Sequence, residues 1–99
     1  MILEHALITV RPDAHEEFHE AVARAREVIS AAPGFRSFAL HRGIESPNRY
    51  LLLVGWETLG AHTAGFRESP AFAEWRSLIG PYFDGQPDVD HFLPLPGLS

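Results

Sequence analysis

The chain has no cysteine and no lysine. Without thiols there is no disulfide framework, no thiolate metal ligand and no cysteine nucleophile. Without lysine, Schiff-base catalysis and a P-loop are excluded. No apolar run reaches the ~18 residues that span a bilayer, so no membrane-embedded segment is expected. The N-terminal stretch Met1–His5 lacks the basic n-region and small-residue cleavage site of a secretory signal, which makes a cytoplasmic location the expectation. A net charge of −5 lacks the basic footprint of a nucleic-acid binder. Ninety-nine residues suffice for one modest core, so residues 1–99 read as a single domain with a core over 3–93 and a tail over 94–99.

What is present is patterned. Leu3 to Val10 is apolar apart from Glu4, His5 and Thr9, the length of a buried strand. Arg11-Pro12-Asp13 carries the proline and acid of a helix start. Ala14, Phe18, Ala21, Val22, Ala25, Val28 and Ile29 then fall on one helical stripe, closed by Pro33-Gly34. Phe35–Arg42 alternates imperfectly and Arg49–Trp56 is strongly apolar. The turn chemistry of Ser46-Pro47-Asn48 between them predicts a hairpin. Thr58–Glu68 reads as an irregular helical turn. Ser69 as N-cap and Pro70 at the first helical position open a second helix with Phe72, Trp75, Leu78 and Ile79 on its apolar side. Asp88–Leu93 is a last short strand.

The order β-α-β-β-α-β predicts a ferredoxin-like α+β fold, a four-stranded antiparallel sheet with both helices on one face. Tyr50, Leu52, Val54 and Trp56 share one side of the third strand, and Leu51 and Leu53 share the other. A strand apolar on both sides must be covered on both. In a chain this short a second copy is the expected cover, and hence a homodimer stacking two sheets.

Pro33-Gly34-Phe35, His41-Arg42, the run Glu45–Tyr50, Trp56-Glu57-Thr58 and the stretch from His62 to Phe72 together resemble the antibiotic biosynthesis monooxygenase (ABM) domain family. The resemblance extends over roughly Leu3 to Leu93. It implies a dimeric α+β barrel and, as one activity of such proteins, oxygenation of polyketide anthrones or quinols with no cofactor. Other proteins of this kind degrade haem, and many have no assigned substrate. Quinol-oxygenase-like relatives commonly carry histidine where this chain has Phe66. The Asn–Trp–His trio of the haem-degrading branch falls on His5, Phe66 and Arg76, none of which matches, so haem degradation is disfavoured.

Among chemistry-bearing residues, His15-Glu16-Glu17-Phe18-His19 is a literal H-E-x-x-H. On the helical wheel both histidines fall on the flank or solvent side of the stripe. The motif therefore reads as a solvated face, and no metal is expected. His5, His62 and His91 are better placed: the first interrupts an apolar strand, the third lies on the strand expected beside it, and the second follows Trp56 by six residues. Each is a structural histidine in the bland reading and a neutral base in the functional one. His62 is the first choice of base, with His5 or His91 next. Trp56, Tyr50 and Phe66 would shape an apolar cavity inside the barrel, on the sheet face away from the helices. Arg42, Arg67 or Arg76 could steady an oxyanion, with surface ion pairs as the alternative.

The expected function is thus oxidation of a small electron-rich phenolic, quinol or polyketide-like aromatic by O₂. The alternative is a non-enzymatic dimer that binds a small molecule or haem. A cavity of a few hundred Å³ with Trp56 and two histidines in its walls would favour the enzyme.

Overall fold

The computed structural model describes residues 1–99. Its elements are β1 (Ile2–Thr9), α1 (His15–Ser30), β2 (Phe35–Arg42), β3 (Arg49–Trp56), a π-helical turn (Ala61–Phe66), α2 (Pro70–Ile79), a 3-10 turn (Gly80–Tyr82) and β4 (Asp88–Phe92). The strands form one antiparallel sheet in the order β2-β3-β1-β4. This is the ferredoxin-like α+β arrangement expected from the element order. No helix is long and apolar enough to cross a membrane.

The register decides which residues share a face. Glu4 pairs with Val54, Ala6 with Leu52 and Ile8 with Tyr50, so these six point to one side. That side is covered by the helices. Ala6, Ile8, Val10, Tyr50, Leu52, Val54 and Trp56 pack there against Phe18, Ala21, Val22, Ala25 and Ile29 of α1 and Trp75 and Ile79 of α2. Leu3, His5, Leu7, Leu51 and Leu53 point the other way, to an uncovered face on which β4 places Asp88, Asp90 and Phe92. Leu7 and Phe92 are 40% and 50% exposed there. The imperfect alternation of β2 has a local cause, a register shift between Phe35 and Ser37 that turns Phe35 and Phe38 toward Trp56 and Val54.

Two local expectations are corrected. The first helix begins at His15 rather than at Pro12, with Ala14 at the N-cap and no side-chain cap. The chain before it is still tied to the sheet side: Val10 N–H donates to Asn48 O and Arg11 N–H to Tyr82 O, at 2.8 and 3.1 Å. Those bonds hold residues 10–11 extended, so Pro12 and Asp13 form the turn instead. Ser69 occupies the N-cap position of α2, but its hydroxyl donates to Phe66 O at 2.6 Å and closes the preceding turn. That turn is π-helical and packs against Gly34, whose φ is +84° and where a Cβ would sit 2.6 Å from the Ala61 methyl. Only glycine fits both demands.

Candidate active site

Between the sheet and the helices lies a cavity of about 180 Å³. Its floor is buried: Glu4, Ala6 and Ile8 from β1, Leu52 from β3, His62 and Phe66 from the π-helical turn, and Trp75 and Ile79 from α2. Its rim carries exposed Arg67, Arg76 and Gln86. The expectation that the site lies on the sheet face away from the helices is therefore corrected. The helix-covered side is also where β3 directs its larger residues, Tyr50 and Trp56, and where a gap is left beside Ala6.

The polar centre is a chain of four side chains. The Trp56 indole N–H donates to Glu4 Oε1 at 3.0 Å. His62 Nε2 lies 3.3 Å from the same oxygen, and His62 Nδ1 lies 2.7 Å from His91 Nε2. The His62 ring stacks on Trp56 with 5.2 Å between centroids and 15° between planes. Burial is the main force on the ionisable members. It raises the Glu4 carboxyl above its ordinary range, opposed by the Trp56 hydrogen bond and the Arg67 charge. It lowers His62 to about 4, helped by Arg67 and His91, and it lowers His91 as well, Arg67 adding to the effect and Asp90 opposing it. Both shifts in the Glu4–His62 pair favour the uncharged forms. A proton on Glu4 would be donated to His62 Nε2, and His62 Nδ1–H would then donate to His91. With Glu4 ionised, the two histidine links reverse while the Trp56 N–H still donates to Glu4. His62 can thus pass one proton between Glu4 and His91 without becoming cationic.

Glu4 is the residue that sequence reading missed. His62 Nδ1 is engaged with His91 and its Nε2 faces Glu4 Oε1 at 3.3 Å, whereas the second Glu4 oxygen has no hydrogen bond. No buried side-chain polar atom lacks a partner, so that oxygen keeps access to the cavity that Glu4 lines. The signal was available as an acid at an inward-facing position of an apolar strand, in step with Ala6 and Ile8.

The other sequence-derived candidates divide. His62, Phe66 and Arg67 line the cavity, and His91 stands behind His62. Trp56 is buried behind the polar chain and does not line it. His5 is not part of the group: one residue from Glu4, it faces the opposite side of the sheet and packs on Phe92 at 4.3 Å between centroids. Arg42 donates from Nε to Pro47 O at 2.7 Å in the hairpin. Tyr50 points to the helix side as well, but at the far end of the sheet. There the two histidines of the H-E-x-x-H sequence meet it, His15 Nδ1 at 2.6 Å and His19 Nε2 at 2.7 Å from its hydroxyl. The reading of that motif as a solvated face is corrected to this extent: His19 is exposed and His15 half-buried, yet both hold β3.

Asn48 Oδ1 accepts from His15 Nε2 at 2.8 Å, which leaves Nδ1 as acceptor for the Tyr50 O–H. His19 Nε2–H then donates to the Tyr50 oxygen. No third His, Asp or Glu joins the pair in a metal-holding group. Tyr50→Phe is expected to destabilise the fold by about 1–2 kcal/mol through loss of these bonds, measured as a shift in the urea midpoint.

The lowered His62 has a direct test. Its ring signals in a two-dimensional NMR titration are expected to report a neutral imidazole at pH 7 that protonates only near pH 4. Between about 4 and 6.5 the unfolded chain binds that proton more readily than the folded one. The His62 contribution to stability is therefore lost as pH falls through this window. Glu4 acts in the opposite sense: above the ordinary carboxyl value of 4.5 the folded state holds its proton more readily than the unfolded chain, so its contribution falls as pH rises.

Comparison with known proteins agrees with this architecture. Residues 1–78 match the family profile described as antibiotic biosynthesis monooxygenase. The uncharacterized protein YczJ of Bacillus subtilis (strain 168) is 37% identical over 92 residues, which cover 93% of this chain and 97% of that protein. A crystal structure of a Bordetella bronchiseptica protein given the same family description is 44% identical, with a TM-score of 0.92 over 95% of this chain and 96% of its own. SnoaB, a cofactor-independent oxygenase from Streptomyces nogalater, shares the fold at 21% identity, with a TM-score of 0.82 over 98% and 95% of the two chains. The chain belongs to the antibiotic biosynthesis monooxygenase family.

Proposed function

We propose that the protein is a monooxygenase that needs no cofactor and oxidises a small, electron-rich phenol or quinol with O₂. The observation that carries the reading is the Glu4 carboxylate, with one oxygen open to an aromatic-walled cavity and the other tied to Trp56 and His62. Glu4 takes a proton from the substrate hydroxyl, and its burial makes it a stronger base than an exposed carboxylate. This role moves from His62, the first choice on sequence, to its neighbour. The proton passes through His62 to His91, which is only half-buried.

The substrate anion is then rich enough to give an electron to O₂. Recombination at ring carbon and loss of water leave the oxidised product. One oxygen atom enters the ring and the other leaves as water, with all four electrons coming from the substrate. For a quinol, the ring and O₂ become a hydroxyquinone and water. Arg67 at the rim is placed to steady the anionic intermediates.

The functional form is a homodimer built on the open sheet face. That face has an acidic edge, Asp88 and Asp90 on β4, and a basic edge, Arg49 on β3 with His41 on β2. A two-fold axis along the strands lays one edge over the other and stacks Leu3, Leu7, Leu51 and Leu53 between them.

The test is oxygen consumption by chelator-treated protein offered a panel of quinols and phenols, with ¹⁸O₂ tracing. Incorporation of one labelled atom per turnover is the expected result, and no uptake across the panel overturns the reading. The cavity volume supports a second reading, a binding protein without turnover, since about 180 Å³ lies below the few hundred Å³ of usual ligand pockets. Tight binding with no oxygen uptake would select it.

A further inference from the structure

We infer that the ligand of this cavity is a single aromatic ring carrying an anionic substituent, a hydroxylated benzoate in its simplest form, rather than a fused polycyclic or a neutral quinol. The inference rests on the site proposed above and narrows what that site accepts. Two independent features carry it, volume and charge.

The first is volume. A cavity of about 150 Å³ takes one benzene ring. The 180 Å³ here therefore admits one ring with small substituents. It does not admit three fused rings unless the walls move, and the walls are well braced. Phe66 packs edge-on against Phe72 and Trp75 at 5.7 and 6.2 Å, while Trp75 also meets Phe38 at 6.2 Å. Ile29, Ile79 and Ala6 close the floor and are each nearly inaccessible. Enlarging such a site means shifting core side chains that already sit in close contact.

The second is charge. The chain carries a net charge of −5, yet the two charged side chains on the cavity rim are both arginines. Neither forms an ion pair: the one oppositely ionisable pair within ion-pairing distance in the protein is His62 with Glu4. Neither guanidinium donates a side-chain hydrogen bond within the protein. Arg76 lies over the Phe83 ring at 5.4 Å, a contact that holds its plane while leaving its N–H edges free. The only acid on the cavity wall is Glu4, down on the floor. Free, forked donors above an apolar slot are suited to a carboxylate, which a guanidinium binds through two parallel bonds. Gln86 on the same rim adds an amide donor. The ring would then stand in the slot with its carboxylate outward and its hydroxyl inward beside Glu4. That orientation keeps the two negative groups at opposite ends of the ring.

The experiment is binding under anaerobic conditions, where no turnover occurs, followed by calorimetry. The probes are 2,5-dihydroxybenzoate, hydroquinone and 1,8-dihydroxyanthrone. The benzoate is expected to bind at least about tenfold more tightly than hydroquinone, a difference of about 1.4 kcal/mol, and the anthrone not to bind measurably. Arg67→Gln and Arg76→Gln should each weaken the benzoate by about five- to tenfold, and Arg76→Gln should leave hydroquinone unchanged, with circular dichroism verifying the fold. Equal affinity for the two monocyclic probes, indifference to both substitutions, or preferential binding of the anthrone would overturn the inference. Its failure is separable from that of the proposed reaction. Benzoate binding without oxygen uptake refutes the oxygenase and keeps this inference, whereas turnover of a neutral or tricyclic quinol does the reverse.

Discussion

Glu4→Gln is expected to lower the rate of oxygen uptake by about 10²–10⁴-fold, the range general-base catalysis contributes, while anaerobic substrate binding stays within a fewfold of the original. The substitution is isosteric. Its amide oxygen can still accept the Trp56 N–H that now ends on Oε1 at 3.0 Å, so the wall of the site is retained. What it removes is the only carboxylate on the cavity wall. Because burial raises the Glu4 pKa, neutralising it also relieves a desolvation cost, and the variant should be no less stable than the parent. A rate loss in this variant therefore cannot be assigned to unfolding. His62→Ala makes the contrast. It cuts the link to His91 and leaves Trp56 without its stacked ring, so it should slow turnover and destabilise together. If Glu4→Gln turned over within about threefold of the parent while His62→Ala was inactive, the base would be the histidine and the assignment to Glu4 would fall.

The reasons Glu4 was overlooked say how the sequence encodes this site. Element order and spacing are local properties, and they were legible. The stripe from Ala14 to Ile29, the Pro47-Asn48 turn and Ser69-Pro70 each act through neighbours within a turn or two. The ferredoxin-like fold follows from them. The side of the sheet that the helices cover is not local. Period-two alternation groups Tyr50, Leu52, Val54 and Trp56 together but is silent on which group meets the helices, and β3 is apolar on both sides. A site on the face away from the helices would include His5, which does face that way, but not Trp56, which faces the helices.

Two further signals were present but needed the third dimension. Glu4 sits in phase with Ala6 and Ile8, so an acid on the best-covered stripe of β1 marked an inward polar centre. The histidines at 15 and 19 are separated by one helical turn, and the wheel rightly put them off the apolar stripe. It gave no sign that Tyr50 reaches past the edge of the core to meet them. A side-chain length, rather than a helical angle, decided that contact.

Leu53→Asp is expected to convert the protein from dimer to monomer at micromolar concentration. Leu53 lies in the centre of the open face, paired with His5 on β1 and Ala39 on β2, with Leu51 and Gly55 beside it along β3. Stacking two such faces buries the position twice. Each aspartate would then lose its hydration with only the His5 imidazole beside it and no arginine near the middle of the patch, since Arg49 lies toward one end. Removing a carboxylate from water costs several kcal/mol per ion, and every 1.4 kcal/mol is tenfold in affinity. The dissociation constant should therefore rise by about 10³-fold or more, which sedimentation velocity resolves. The fold of the monomer should survive, because Leu53 faces away from the helix-covered core and is only half-buried in the single chain. Exchange of the edge charges tests the geometry of the pair. Asp88→Arg alone would weaken the dimer, and adding Arg49→Asp would restore it if the acidic edge of one copy meets the basic edge of the other. A Leu53→Asp protein that still sedimented as a dimer would place the contact elsewhere. The open leucine face would then need a different cover, because a strand apolar on both sides is not left half in water.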